Sequence, residues 1–282
     1  LNGVTLVSTV LDIGLLFSSE DHTFIAIMPT FAAAAYYHNR LQNRPADMNA
    51  FLAEVRAFAQ GPYSLALAKG DNLPEAERDA VARQYAAYTG LSPEFVIRNK
   101  LRVSADRFRK ELLRDQNRTI GRLDARFMGI DADSAGEGPE YDPTDASISG
   151  AFIGALNDYL FHDLGYQTPL EYRANNYAGI GGKWDWKHRS AQGPQLTANT
   201  AADLSQAMRE NPRLKVLSVN GLYDMATPFF GAEYDIGHMQ LNADQRANVT
   251  YRYYPSGHMV YIDPASAHQL KTDIEAFIDS AQ

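Results

Sequence analysis

The sequence predicts an α/β fold: a parallel sheet whose strands are separated by a large helical insertion. Three observations carry that prediction. The chain opens on a β-branched, almost continuously apolar run, Val4 to Val10, of the kind that forms strands buried on both faces. It closes on strand, helix, strand, helix patterns, the order of parallel α/β units. Between them, residues 30–189 carry mainly helical spacing and are too many for a single crossover.

The elements follow in order. Phe24 to Arg40 is apolar and alanine-rich, a helix with Pro29 near its start. Met48 to Lys69 places Phe51, Leu52, Val55, Phe58 and Ala59 at helical spacing, then Tyr63, Leu65 and Leu67 beyond Gly61-Pro62. Asn72 and Pro74 ahead of Glu75 and Glu77 mark a helix start running to Ala87, and Ser92-Pro93-Glu94 marks another. Val103 to Asp115 alternates apolar and basic residues at helical spacing. A polar loop, Gly129 to Thr144, leads to a helix over Ile148 to Leu164 with Phe152, Leu156, Tyr159 and Leu160 on one face. Gly179 to Gln195 is irregular. Thr200 to Glu210 is a helix, Leu214 to Val219 and Val249 to Tyr254 are strands, and His268 to Ser280 is a final amphipathic helix. The predicted division is a sheet-bearing core from 1–29 and 190–282, with 30–189 as a helical cap.

Composition narrows the function classes. Of 282 residues, 45% are hydrophobic and 21% charged, as in an ordinary globular protein. The net charge of -8 disfavours nucleic acid or an anionic membrane as a partner. The absence of cysteine excludes disulfides, thiolate zinc sites and a cysteine nucleophile, and leaves the compartment open. No apolar run approaches the ~20 residues that span a bilayer. There is no His-Glu-x-x-His, and no cofactor or metal is expected. Asp131-Ala-Asp133-Ser-Ala-Gly136 with Asp142 matches half of a calcium loop, but Ala135 and Asp142 stand where ligands of another kind belong, so a solvated acidic loop is expected. Arg98, Lys100, Arg102, Arg107, Arg109 and Lys110 read as a solvated helix face. Trp184 and Trp186, with Tyr172 and Tyr177 nearby, fit a substrate cleft and cap packing equally well. His22, His38, His162, His188, His238 and His268 have no partner spacing, and Asn117-Arg-Thr119 and Asn248-Val-Thr250 match a glycosylation pattern that is common by chance.

Two segments carry chemistry. In Lys215-Val-Leu-Ser-Val-Asn-Gly-Leu-Tyr-Asp224, an apolar strand ends in Asn-Gly and a carboxylate follows. In Val249-Thr-Tyr-Arg-Tyr-Tyr-Pro-Ser-Gly-His258, a strand runs into a small-residue turn and a histidine follows. Sites in open α/β sheets lie beyond the C-terminal ends of the strands, where both residues are placed. An aspartate that orients a histidine, so that the ring can take a proton from a hydroxyl, needs this pair of residue types. Taken singly, each is more often a turn former or loop residue; together at successive strand ends they point to the dyad.

The chain also resembles the serine carboxypeptidase family, particularly its bacterial members. The most specific parts are Asn220-Gly-Leu-Tyr-Asp224-Met-Ala-Thr-Pro-Phe and Gly257-His258-Met259-Val260. Leu1-Asn-Gly-Val-Thr-Leu-Val-Ser-Thr-Val-Leu-Asp12 looks like the strand after the family's nucleophile helix. Pro29-Thr-Phe-Ala-Ala-Ala-Ala-Tyr-Tyr-His38 and Tyr141-Asp-Pro-Thr-Asp145 are similar to its cap segments. The resemblance covers nearly the whole chain, in order. It implies part of an α/β-hydrolase fold, with Asp224 as triad acid, His258 as base and Met259 shaping the pocket for the substrate's terminal residue. The implied activity is release of C-terminal residues from peptides by acyl-enzyme chemistry, in a periplasmic or secreted setting.

The departure from the family is the nucleophile. No Gly-x-Ser-x-Gly occurs in these residues; Ser147-Ile-Ser149-Gly150 and Ser256-Gly257 do not fit. The oxyanion-hole amides and most of the family's groups for gripping the substrate carboxylate also belong to segments that have no counterpart here. This chain by itself is therefore expected to be inactive. Leu1 to Val10 has no basic start and reads as a core strand rather than a signal peptide, which leads to the expectation of a preceding, nucleophile-bearing half as a partner. An esterase or acyltransferase on the same scaffold, and a catalytically silent binding or structural module, are the competing readings.

Overall fold

The computed structural model describes residues 1–14, 20–190, 193–195 and 197–282. Strand β1 (Gly3–Val7) opens the fold. It stops short of the predicted Val10 because Ser8 adopts φ 48°, a left-handed conformation that breaks the pleat. Helix α1 (Asp21–Tyr37) has Pro29 in its interior, not near its start, and Ala26 to Ala35 are buried without interruption. Helix α2 (Met48–Phe58) is capped by Asp47, which accepts from the amides of Asn49 and Ala50. Gly61-Pro62 does not end the helical stretch. Ala59–Tyr63 forms a single π-turn, and α3 (Ser64–Ala68) continues beyond it. Helix α4 (Glu75–Thr89) stops at Gly90, φ 70°. Its predicted Asn72 start is displaced: Asn72 closes a 3-10 turn, and Pro74 precedes the helix. Ser92 caps α5 (Pro93–Arg98) by accepting from the Phe95 amide, as its sequence predicts. Helix α6 (Ala105–Glu111) is capped likewise by Ser104.

These helices pack around one core that includes Phe31, Leu52, Val55, Tyr63, Tyr85 and Phe108. Each such side chain contributes roughly 1.5–3 kcal/mol of transfer free energy. The alanine run of α1 lets its neighbours approach, and Phe31 stacks on Phe108 at 4.0 Å between centroids. The same core takes in Leu222, Tyr223, Met225, Phe229 and Phe230, so the helical insertion and the sheet-bearing part share apolar contacts. Helix α1 itself crosses the 29/30 boundary.

A short antiparallel pair, β2 (Thr119–Ile120) with β3 (Met128–Gly129), brackets a loop that matters below. Helix α7 (Pro143–Asp158) begins ahead of the predicted Ile148, because Asp142 caps it with Pro143 at its first position. Its predicted apolar face is not buried: Phe152 is 54% exposed and Tyr159 51%. A small antiparallel pair follows, β4 (His188–Ser190) with β5 (Gly193–Gln195). The chain then alternates: α8 (Ala201–Glu210), β6 (Lys215–Gly221), α9 (Phe229–Gly237), α10 (Ala243–Ala247), β7 (Val249–Tyr254) and α11 (Pro264–Ser280).

The main sheet is parallel with strand order β1-β6-β7. Central β6 pairs Val4 with Val216 on one side and Val219 with Arg252 on the other. Its alternation sorts the two faces. Val216 packs with Met208 of α8 and Ile236 of α9. Leu217 and Val219 pack with Tyr254 and with Leu270 of α11. Among the described residues, no strand pairs with the outer edge of β1.

Candidate active site

Because β6 and β7 are parallel neighbours, the segments that follow them emerge at one sheet edge. Two glycines let those segments touch. A Cβ on Gly221 would stand 2.1 Å from the Gly257 carbonyl oxygen. The ladder then continues past the strands, with Leu222 N donating to Tyr254 O and Tyr223 N to Ser256 O, both at 3.0 Å.

Asp224 is completely buried. A buried carboxylate is tolerated only when its acceptors are satisfied, and this one accepts four hydrogen bonds. Oδ1 takes the amides of Ala226 (2.7 Å) and Thr227 (2.9 Å). Oδ2 takes the Thr227 hydroxyl (2.7 Å) and His258 Nδ1 (2.9 Å). The carboxylate thereby fixes the tautomer: Nδ1 carries the proton, and Nε2 of the neutral ring is left with its lone pair. Nε2 has no hydrogen-bond partner among the described residues, and the His258 side chain is 33% exposed. The hydrogen bond to Asp224 raises the His258 pKa above its ordinary value, against burial and the charge of Arg122, which lower it.

Three further groups hold the pair, and the sequence reading missed all of them. The Thr227 hydroxyl lies 2.9 Å from Ser8 O and 3.1 Å from His258 Nδ1 as well as on Asp224. Ser8, in the left-handed turn that ends β1, donates its hydroxyl to His258 O at 2.5 Å. The loop between β2 and β3 clamps the histidine's backbone. His258 N donates to Leu123 O at 2.6 Å and Gly257 N to Asp124 Oδ2 at 3.0 Å. Only glycine fits at 257, where a Cβ would meet Leu123 O at 2.3 Å and Asp124 Cβ at 2.4 Å. Asp124 is itself gripped by Arg126, whose Nη1 also reaches Pro255 O at 2.6 Å. The three-residue spacing from Asp224 to Thr227, typical of an aspartate bonded to a backbone turn, was the one local signal available for any of them.

Asp142 braces that loop. It accepts from the amides of Arg122 (3.1 Å), Leu123 (3.0 Å) and Thr144 (3.0 Å), and the Thr144 hydroxyl bridges Asp124 N and O. The acidic segment before it is not simply solvated, as expected. Asp131 is buried against the equally buried Lys110 ammonium, and Asp133 caps the Ala135 amide. The basic stretch departs from expectation for the same reason. Arg109 and Lys110 are buried, with Arg109 donating to Ile120 O and Tyr141 O, while the other members face outward or pair at the surface.

A cavity of about 460 Å³ opens next to Thr227, bounded by Thr9 and Val10 beyond β1, by α1 and α6, and by the segment from Met225 into α9. Met259 is half-buried beside His258, at the start of the turn Val260–Ile262, and does not line it. Trp184 and Trp186 do not line it either; they lie 6.3 Å apart and are 61% and 43% exposed. His38 bonds the Ala125 carbonyl and His188 bonds Asp203, and neither bonds Asp224 or His258. Among the described residues, no group of three or more His, Asp or Glu side chains is placed to hold a metal ion. Comparison with protein-family models, with curated proteins and with solved structures found no match in any of the three.

Proposed function

We propose that the chain supplies the acid–base half of a serine-type hydrolase on a partial α/β-hydrolase fold, acting as a carboxypeptidase on peptide substrates. The observation that carries the reading is the Asp224–His258 contact of 2.9 Å at the C-terminal edge of adjacent parallel strands, with Nε2 unpartnered among the described residues and the His258 side chain partly exposed. In this reading Nε2 accepts the proton of a serine hydroxyl as its oxygen bonds the scissile carbonyl carbon, and returns it to the departing amine. Asp224 keeps Nδ1–H in place and stabilises the imidazolium. The serine itself, with its oxyanion hole, comes from polypeptide other than these residues. Among the described residues, no strand pairs with the outer edge of β1 and Nε2 bonds no group, and both observations support that part of the reading.

The test is made on the protein isolated from its native source. Hydrolysis of an N-blocked dipeptide with a free C-terminal carboxylate is expected, together with phosphonate labelling of a serine in a Gly-x-Ser-x-Gly segment. His258→Ala is expected to lower turnover by a factor on the order of 10⁴ or more. Near-normal turnover in that variant, or no labelled serine in any polypeptide that accompanies this chain, rejects the reading.

A further inference from the structure

We propose that Thr227 is a positioning residue whose hydroxyl competes with the His258 ring for Asp224 and so limits the basicity of the histidine. A threonine hydroxyl carries one proton to donate. Two acceptors lie within its reach, Asp224 Oδ2 at 2.7 Å and Ser8 O at 2.9 Å. His258 Nδ1 donates to the same Asp224 oxygen at 2.9 Å and stands farther, 3.1 Å, from the hydroxyl. The other carboxylate oxygen is already taken by the amides of Ala226 and Thr227. Hydroxyl and ring therefore share one oxygen.

The proton count decides what the hydroxyl does. While the ring is neutral, the buried carboxylate is the better acceptor, because a hydrogen bond to an ionised oxygen is roughly twice as strong as one to a neutral group. Once Nε2 takes up a proton, the imidazolium satisfies the carboxylate's charge. The hydroxyl then turns to Ser8 O. That carbonyl is within reach because Ser8 holds φ 48°, a left-handed conformation uncommon outside glycine. Protonation thus exchanges a charge-assisted bond for a neutral one, and the hydroxyl favours the neutral ring. It opposes the rise that the Asp224 bond imposes on the His258 pKa. Of the other charged groups nearby, Arg122 also lowers that pKa. Asp124 is engaged by Gly257 N and Arg126, and Asp263 by Arg126 and the Ser266 amide. A base that accepts and returns a proton works best with its pKa near the working pH. That consequence for turnover rests on the acyl-transfer reading above; the effect on the titration does not.

The test is made on the protein as its native host assembles it, with variants produced in that host and carrying labelled histidine. The chain has seven histidines, and the His258 NMR signal is identified by its loss in His258→Gln. Thr227 is half-buried on the cavity wall, so valine can replace it without overpacking. Thr227→Val is expected to raise the His258 pKa by about half a unit to one unit. Thr227→Ala should do the same, and Thr227→Ser, which keeps the hydroxyl, should retain the wild-type value. In turnover, the acidic limb of the kcat/KM profile should move to higher pH with the titration. An unchanged or lowered pKa in the valine or alanine variant, or an equal rise in Thr227→Ser, overturns the inference. Failure of both the valine and alanine variants to fold makes the hydroxyl structural and overturns it too. The two readings fail separately. A raised pKa in Thr227→Val, in a protein that never turns over peptides, sinks the hydrolase reading alone. Peptide turnover that needs His258, with the same His258 pKa in wild type and Thr227→Val, sinks this inference alone.

Discussion

The turns beyond β6 and β7 and the segment from α7 to the two tryptophans are built from similar residue types, rich in tyrosine, glycine and apolar side chains, and have opposite physical states. Beyond the strands, Asp224 and Ser256 are buried and hydrogen-bonded, Gly257 N donates to Asp124 of the facing loop, and glycines are packed to contact against backbone. Along the other segment, Phe152, Leu170, Tyr177 and Trp184 are more than half exposed. Apolar content alone does not bury a segment. Burial needs a facing surface, and the strand-end turns have one in the β2–β3 loop.

Four measurements break or sharpen that contrast. The largest effect is expected from Asp224→Asn, which replaces an oxygen with a donor facing the Thr227 and His258 donors. It should cost about 4 kcal/mol in urea denaturation at neutral pH. It should also remove a pH dependence. The raised His258 pKa means that the pair's stabilisation is fully present below the unfolded histidine value, ~6.5, and is lost as pH rises through the higher folded value. Melting temperature followed from pH 6 upward should therefore fall in the wild type and not in the variant. An unchanged profile would mean that the pair is not coupled as the distances indicate.

Asp124→Ala should cost about 3 kcal/mol by leaving Arg126 with only the longer, 3.5 Å contact to Asp263 and Gly257 N without its acceptor. It should also shift the His258 titration followed by NMR, which loss of stability alone does not do. Asp235→Asn is the counter-case, a buried carboxylate whose amide donors both bond one oxygen. Burial pushes Asp235 from 3.8 to about 6, so the folded state prefers it neutral. Stability is then fully present below the unfolded value and declines as pH rises through about 6. Asparagine keeps an acceptor for both amides, and the variant should be more stable at pH 8 by on the order of 2 kcal/mol, with a flatter pH profile. The smallest effect belongs to the exposed segment: Phe152→Ser and Tyr177→Ser should each change stability by less than about 0.5 kcal/mol. A larger loss would show that these side chains are covered in solution.

Legibility of the fold followed range of interaction. Ser92 caps α5 as read, because a cap is a contact over three residues. Strand β7 spans Val249–Tyr254 as read, because its apolar and aromatic run is bounded on both sides. Strand β1 was read too long, since Ser8 is turned by bonds to Val219 and His258, far away in sequence. The exposed face of α7 was misread because helical spacing reports that an apolar stripe exists, not that anything covers it.

The sequence by itself determined the order of strands and helices, and that an aspartate and then a histidine follow two successive strands. It also determined the absence of thiol chemistry. Each of these follows from residue type, or from a pattern that lies within a few residues. Tertiary structure decided that Asp224 and His258 touch, that Thr227 and Ser8 join them, and that Asp124 and Leu123 hold the histidine's backbone. It also decided that Arg122 lines a cavity, with no hydrogen-bond or ion-pair partner for its guanidinium among the described residues. Those contacts join residues as far apart as 250 positions, and hydrogen bonds over such separations leave no periodicity in the chain. They exist only once β1, β6 and β7 have aligned and the shared core has brought the β2–β3 loop against their ends.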